Sequence, residues 1–287
     1  MAHGGPPDAL ASTESMVFDA IDWSRPWLAP LRSTAAPIIH AADWRAALND
    51  AATERALRNH RGLPIRFVPQ HELPPATAYE AFIDATGCVP TRDNLHDFFN
   101  ALVWLAFPCI KAELNALQAM EIAKAGAALP QAGTPGRGRL RDAVTIFDEN
   151  AALLIVRDTG LVDALRERRW RDVFVVNRHA FGRHCEVWPF GHALMEKLVR
   201  PYKAITAHAW PLVVDDAFFD MRFGDRRQWV DAAVARQLGE GLCMASFAPM
   251  PVLGVPGWSE GQDEAFYTDA SVFRNGGDKR GEGMRRQ

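Results

Sequence analysis

The chain has four cysteines in 287 residues, and no two of them form a C-x-x-C pair. Cys88, Cys109, Cys185 and Cys243 are too dispersed for a zinc ribbon or a thioredoxin-type motif, so reduced thiols in the cytoplasm are the simplest expectation. Long apolar runs are also missing. The longest, about Ala101 to Ile110, falls well short of the roughly 20 residues that a membrane span needs, so no membrane partner is expected. Met1 to Ser15 lacks the basic start and apolar block of a secretion signal. There is no P-loop, no G-x-G-x-x-G and no G-x-S-x-G, which counts against nucleoside-triphosphate, Rossmann-cofactor and serine-hydrolase chemistry. Charge of one sign is not in excess either. A formal net charge of -3 gives no global electrostatic reason to expect nucleic acid as a partner. No internal repeat is visible.

Core-forming residues, by contrast, are plentiful. Hydrophobic residues make up 48% and charged residues 23%, with nine Trp and sixteen Phe, which suffices for a sizeable globular core. The pattern divides into a disordered tail over 1–15, one globular domain over 16–274 and a disordered basic tail over 275–287. Trp23, Pro26, Trp27, Pro30 and Pro37 suggest an extended arm that packs its indoles on the body. Helices are expected over 43–59, 79–86 (closed by Gly87), 161–170, 191–200 and 226–238, the last stopped by Gly239. Residues 65–68, 143–147, 152–156 and 173–176 read as strands, and 129–140 as a loop. Asp148-Glu149-Asn150 reads as the turn of a hairpin. The implied fold class is α+β: a helix-dominated domain with short β-hairpins and irregular Pro/Gly-rich segments.

The strongest chemical signal is a helix expected from Thr91, as N-cap, to a break at Pro108. It aligns Asp93, His96, Asp97, Asn100 and Trp104 on one face, with Leu95, Phe98, Phe99 and Leu102 opposite. A solvated helix face usually carries Lys, Glu and Arg. Asp, Asn and His are poorer helix formers, each costing up to ~0.7 kcal/mol relative to Ala, so their clustering points to a cleft. A His beside carboxylates suits general base catalysis. The same groups suit a divalent metal ion, with His96, Asp97 and Asp148 as the candidate ligands. Adjacent His96-Asp97 is similar to the pair of the HD metallohydrolases, whose further His and Asp could be supplied by His71 and Asp148.

Two further groups could join this face. Asp148, Glu149 and Asn150 bring carboxylates to a turn, although Asp and Asn are also ordinary turn residues. His192 and Glu196 lie one helical turn apart, but the second His of H-E-x-x-H is missing. The resulting expectation is a hydrolase-type enzyme whose site draws on Asp93, His96, Asp97, Asn100, Asp148, Glu149, His192 and Glu196. The alternative is a non-catalytic binding protein that uses the Trp/Pro-rich arm or the basic patch Arg166, Arg168, Arg169 and Arg171.

The stretch Val89-Pro90-Thr91-Arg92-Asp93-Asn94-Leu95-His96-Asp97-Phe98-Phe99-Asn100-Ala101-Leu102-Val103-Trp104 resembles the signature of a bacterial family, domain-of-unknown-function family 3025. Phe107-Pro108 with Lys111 and Leu114-Asn115, Thr145 to Asn150, Gly191 to Lys197, and Gly254 to Trp258 followed by Phe266-Tyr267 also fit. The resemblance covers most of residues 20 to 274 and implies no established reaction. Ala151 departs from the pattern, where Gly is expected after Asp-Glu-Asn.

Overall fold

The protein was analysed as a computed structural model that describes residues 18–127 and 138–274. The two tails expected at 1–15 and 275–287, and most of the loop expected at 129–140, lie outside the described residues. The class is α+β and helix-dominated, with short strands in two small sheets. One hydrophobic cluster runs without a break from Ile21 to Phe273.

The N-terminal segment is not an extended arm. Pro26 and Pro30 occupy first-turn positions, where a missing N–H costs nothing, and start a 3-10 turn and helix α1 (Ala29–Ile39). Trp27 is buried against Trp258. Helix α2 (Trp44–Glu54), capped by Asp43, leads through a small hairpin closed by Arg58 and Pro64 into strand β1 (Arg66–Pro69). Helix α3 (Tyr79–Thr86) ends as expected at Gly87, whose φ of 72° and close approach to Pro64 O both require glycine. Strand β2 (Cys88–Thr91) then pairs in parallel with β1.

Thr91 therefore ends a strand and is not the helix cap. Asn94 takes that role, its side chain accepting from Asp97 N at 2.8 Å, and α4 runs over Leu95–Ala106. From Asp97 onwards every residue of α4 is buried, which marks it as the central helix. Pro108 separates it from α5 (Pro108–Ala127), as its spacing predicts.

The largest correction concerns residues 139–156. Ala143 to Phe147 is not a strand, and Asp148-Glu149-Asn150 is not a hairpin turn. Helix α6 (Arg139–Asn150) includes all of them and passes directly into strand β3 (Ala151–Val156), which is buried along its whole length. Ala143, Val144 and Phe147 supply the buried stripe of α6 at helical spacing. Ala151 has φ -81°, so the absence of Gly there carries no strain.

Helix α7 (Thr159–Arg166) is followed by a π-helical turn at Asp172–Val176, where a strand was expected. Strand β4 (Cys185–Pro189), helix α8 (His192–Val199), strand β5 (Thr206–Val213), helix α9 (Asp216–Asp220), helix α10 (Phe223–Glu240), strand β6 (Ala248–Pro251) and helix α11 (Glu264–Tyr267) complete the order. The second sheet has the order β4-β3-β5-β6. Its strands β3 and β5 are parallel and its outer pairings antiparallel. None of these pairings is closed by a tight turn, because helices connect the strands. Gly239 lies inside α10 rather than ending it, and Gly241 is the C-cap.

Candidate functional site

Helices α3, α4, α6 and α8 converge on a cavity of about 460 Å³. Its lining includes His96, Asp97 and Asn100 from α4, Asp148 and Glu149 from α6, and His192 from α8. Three polar groups separated by up to a hundred residues in sequence thus share one cleft. Asp93 does not join them. It lies before α4, is exposed and is bound to Arg45 at 2.6 Å. Glu196 stands behind the cleft and touches it through His96. His71, on the 3-10 turn Gln70–Glu72, is exposed and does not line the cavity.

The close approach of α6 and α8 depends on Gly191. A Cβ at this position would lie 2.4 Å from Glu149 C and Asn150 N, which are backbone atoms that cannot swing aside. The Gly191 N–H donates to Ala151 O at 2.9 Å and fixes the junction. This places His192 Nε2 at 3.3 Å from Glu149 Oε2. The His96 and His192 rings meet edge to face with centroids 4.5 Å apart. His96 Nδ1 lies 3.2 Å from Glu196 Oε2, so an Nδ1–H donated to this carboxylate leaves Nε2 with its lone pair. His192 Nδ1 is buried without a hydrogen-bond partner and faces Asp148 Oδ1 at 3.9 Å.

Among the described residues, His96, Glu149 and His192 form a cluster in which one ligand atom from each lies within 4.8 Å of the others. Two imidazoles and a carboxylate are a donor set suited to zinc or ferrous iron. His96 Nδ1 faces the Glu196 carboxylate at hydrogen-bond distance, the arrangement that orients metal-bound histidines, whereas His192 Nδ1 stays 3.9 Å from Asp148. The other two sequence-nominated ligands are engaged by cations. Arg92 grips Asp97 through Nε at 2.9 Å and Nη2 at 3.0 Å, and the Lys111 ammonium reaches Asp148 at 2.6 Å.

The electrostatics separate the carboxyls. Burial works to raise Asp148, but Lys111, with His192 and His96, brings it below the ordinary carboxylate value. Burial opposes ionisation of Glu149 as well, and the hydrogen bond and charge of His192 outweigh it and lower this group. Glu80 is raised, because burial outweighs the help from Lys111 and Asn115. Tyr79 is pushed well above its ordinary phenol value by burial and by the carboxylates Glu80, Asp97 and Asp148. Its hydroxyl accepts from Asn100 Nδ2 at 3.1 Å, while Asn100 Oδ1 is buried and unpartnered.

Tyr79, Glu80, Arg92 and Arg141 line the cavity without having been singled out by the sequence. Only a helical reading of 139–150 would have found Arg141, which shares the face of Glu149. Lys111 stood out among the positions that carry the family resemblance, but nothing local revealed its burial against Asp148.

A family model matches residues 65–277, under the description "Protein of unknown function (DUF3025)". The chain belongs to this family. Every residue lining the cavity falls within the DUF3025 match, as does Glu196, whereas α1, α2 and the Trp/Pro-rich segment precede it. No curated protein and no solved structure matches the chain.

Proposed function

We propose that the chain is a metal-dependent hydrolase whose active site is the cleft between α4, α6 and α8. The observation that carries this reading is the His96, Glu149 and His192 cluster, backed by Glu196 and Asp148. A divalent metal held there would polarise a substrate bond and lower the pKa of a bound water toward ~7. In this reading, Glu196 orients His96, and Lys111 keeps Asp148 ionised beside His192. Glu80, a carboxyl with a raised pKa on the cavity wall, can deliver a proton to a leaving group. Glu149, held ionised, has the complementary role of ligand or base. Four free thiols are consistent with a reducing compartment, and no helix among the described residues is long and apolar enough to cross a membrane.

The interaction reading draws less support. Trp27 is part of the core, and three of the four arginines of the patch face acids: Arg166 faces Asp163, Arg169 faces Glu167 and Asp172, and Arg171 faces Glu264. The deciding experiment is elemental analysis of the full chain after reconstitution with zinc, manganese or iron, followed by a screen of ester, amide and phosphoester substrates. Stoichiometric metal that His96→Ala and His192→Ala lose, with turnover that depends on it, supports the proposal. Absence of stoichiometric metal after reconstitution refutes it.

A further inference from the structure

Three fixed cations bear on the cavity, and two of them are neutralised in place. Asp97 holds Arg92 through two hydrogen bonds of 2.9 and 3.0 Å, and Asp148 holds Lys111 at 2.6 Å. The third is Arg141, in the first turn of α6. Among the described residues no carboxylate lies within ion-pair distance of its guanidinium, and its buried Nε has no hydrogen-bond partner. A guanidinium whose N–H is withdrawn from water and left unpaired is poised for an oxyanion, for which its planar fork is shaped.

The placement of Arg141 is specific. Arg141, Thr145, Asp148 and Glu149 follow one another along one face of α6, and all four line the cavity. Eight residues of helix span about 12 Å, so Arg141 and the His96, Glu149 and His192 cluster stand toward opposite ends of the cleft. Two carboxyls on the wall do not cancel its charge. Glu149 faces His192 at the cluster end, and the Glu80 carboxylate accepts from Asn115 Nδ2 at 2.6 Å.

Building on the active-site reading above, we infer that the substrate is a small elongated organic anion. Its terminal carboxylate or phosphate sits on Arg141, and its scissile bond lies beside His96, Glu149 and His192. Arg141 is then a binding residue that sets specificity and orientation, separate from the reacting atoms.

Calorimetric titration of the full chain with inorganic phosphate and, separately, with succinate tests this, first with metal removed by chelation and then with zinc restored. At least one probe should bind the metal-free protein. Arg141→Gln should weaken that binding about tenfold or more, with Arg141→Lys in between, as expected for loss of a charge-assisted pair. Which probe binds distinguishes a phosphate from a carboxylate terminus. Zinc uptake by both variants should equal that of the unaltered chain. Equal anion binding by Arg141→Gln, or no binding of either probe by the unaltered chain, overturns the inference. If Arg141→Gln fails to fold, unchanged binding by Arg141→Lys does the same. Arg141-dependent anion binding without any zinc uptake would leave the anion site standing and remove the metal reading, whereas the reverse pattern would do the opposite.

Discussion

The Lys111 ammonium lies 2.6 Å from Asp148 Oδ1 and 5.4 Å from the centre of the Trp104 ring, with both charged side chains almost wholly shielded from water. An ion pair so placed is costly to break from one side, because the surviving charge has no solvent to turn to. Lys111→Met or Asp148→Asn should each destabilise the protein by about 3–5 kcal/mol. The double variant Lys111→Met/Asp148→Asn should be less damaging than the sum of the two losses. Urea denaturation of the four proteins checks this, and additive losses would contradict it.

Acid sensitivity follows from the same groups. Asp148 and Glu149 are lowered in the folded state, so the stability they contribute is present above the ordinary carboxylate value of about 4. It is lost as pH falls through their depressed values. Glu80, which is raised, has the opposite sign: its contribution is present at low pH and declines as pH rises through its folded value. Melting temperature measured from pH 3 to 7 should therefore fall steeply on the acid side. Asp148→Asn should flatten that acid limb, while Glu80→Gln should leave it in place.

Gly191→Ala puts a methyl group into the backbone of Glu149 and Asn150. Since neither side can yield without moving α6 or α8, about 1–3 kcal/mol of stability should be lost. Zinc affinity should fall with it, because Glu149 and His192 sit on the two helices forced apart. Wild-type affinity in a folded Gly191→Ala protein would show that the cluster does not depend on this contact.

Glu196 touches the proposed metal site only through His96. Glu196→Gln should weaken zinc binding by about 10–100-fold and leave the fold intact, as is usual for the partner that orients a metal-bound histidine. Competition against a chromophoric chelator measures this. An unchanged affinity would mean that His96 needs no such support.

Asp231, on α10, accepts from Cys109 N and Ile110 N at 2.9 Å each and so caps the start of α5 from a distant part of the chain. Asp231→Ala should cost about 2 kcal/mol or more, since one buried and one partly buried N–H group lose their acceptor. Asp231→Asn, which keeps one acceptor oxygen, should cost less. Thermal unfolding separates the two.

The cleft was legible in part because its residues conflict with their local surroundings. His96, Asp97 and Asn100 are poor choices for an exposed helix, and that misfit marked them before any geometry was known. Asp93 shared the same spacing but not the same fate, because the helix starts at Leu95 and Asp93, two residues before it, binds Arg45 instead. The strand expected at Ala143 to Phe147 failed for a different reason. Val144, Thr145 and Ile146 favour strands on their own, and the Gly- and Pro-rich stretch before Arg139 hid the first turn of α6. Tertiary packing of Ala143, Val144 and Phe147 overrode the local preference. Pairings such as Lys111 with Asp148 depend on how α5 and α6 meet, which no local pattern encodes.

Helix α6 ends at Asn150 and strand β3 begins at Ala151, with no connecting loop. The strand is held on both edges, to β5 over its whole length and to β4 from Ala152 to Val156. The sheet therefore acts as a ruler for the cleft. A one-residue slip in β3 would carry Glu149 about 3.3 Å along the strand axis and turn every buried side chain of the strand to the other face. A site carried on loops can be retuned by lengthening or recolouring a loop. This one has tied the reach of its central carboxylate to the pairing of its sheet, so change at the cleft must come by substitution and not by insertion or deletion at this junction.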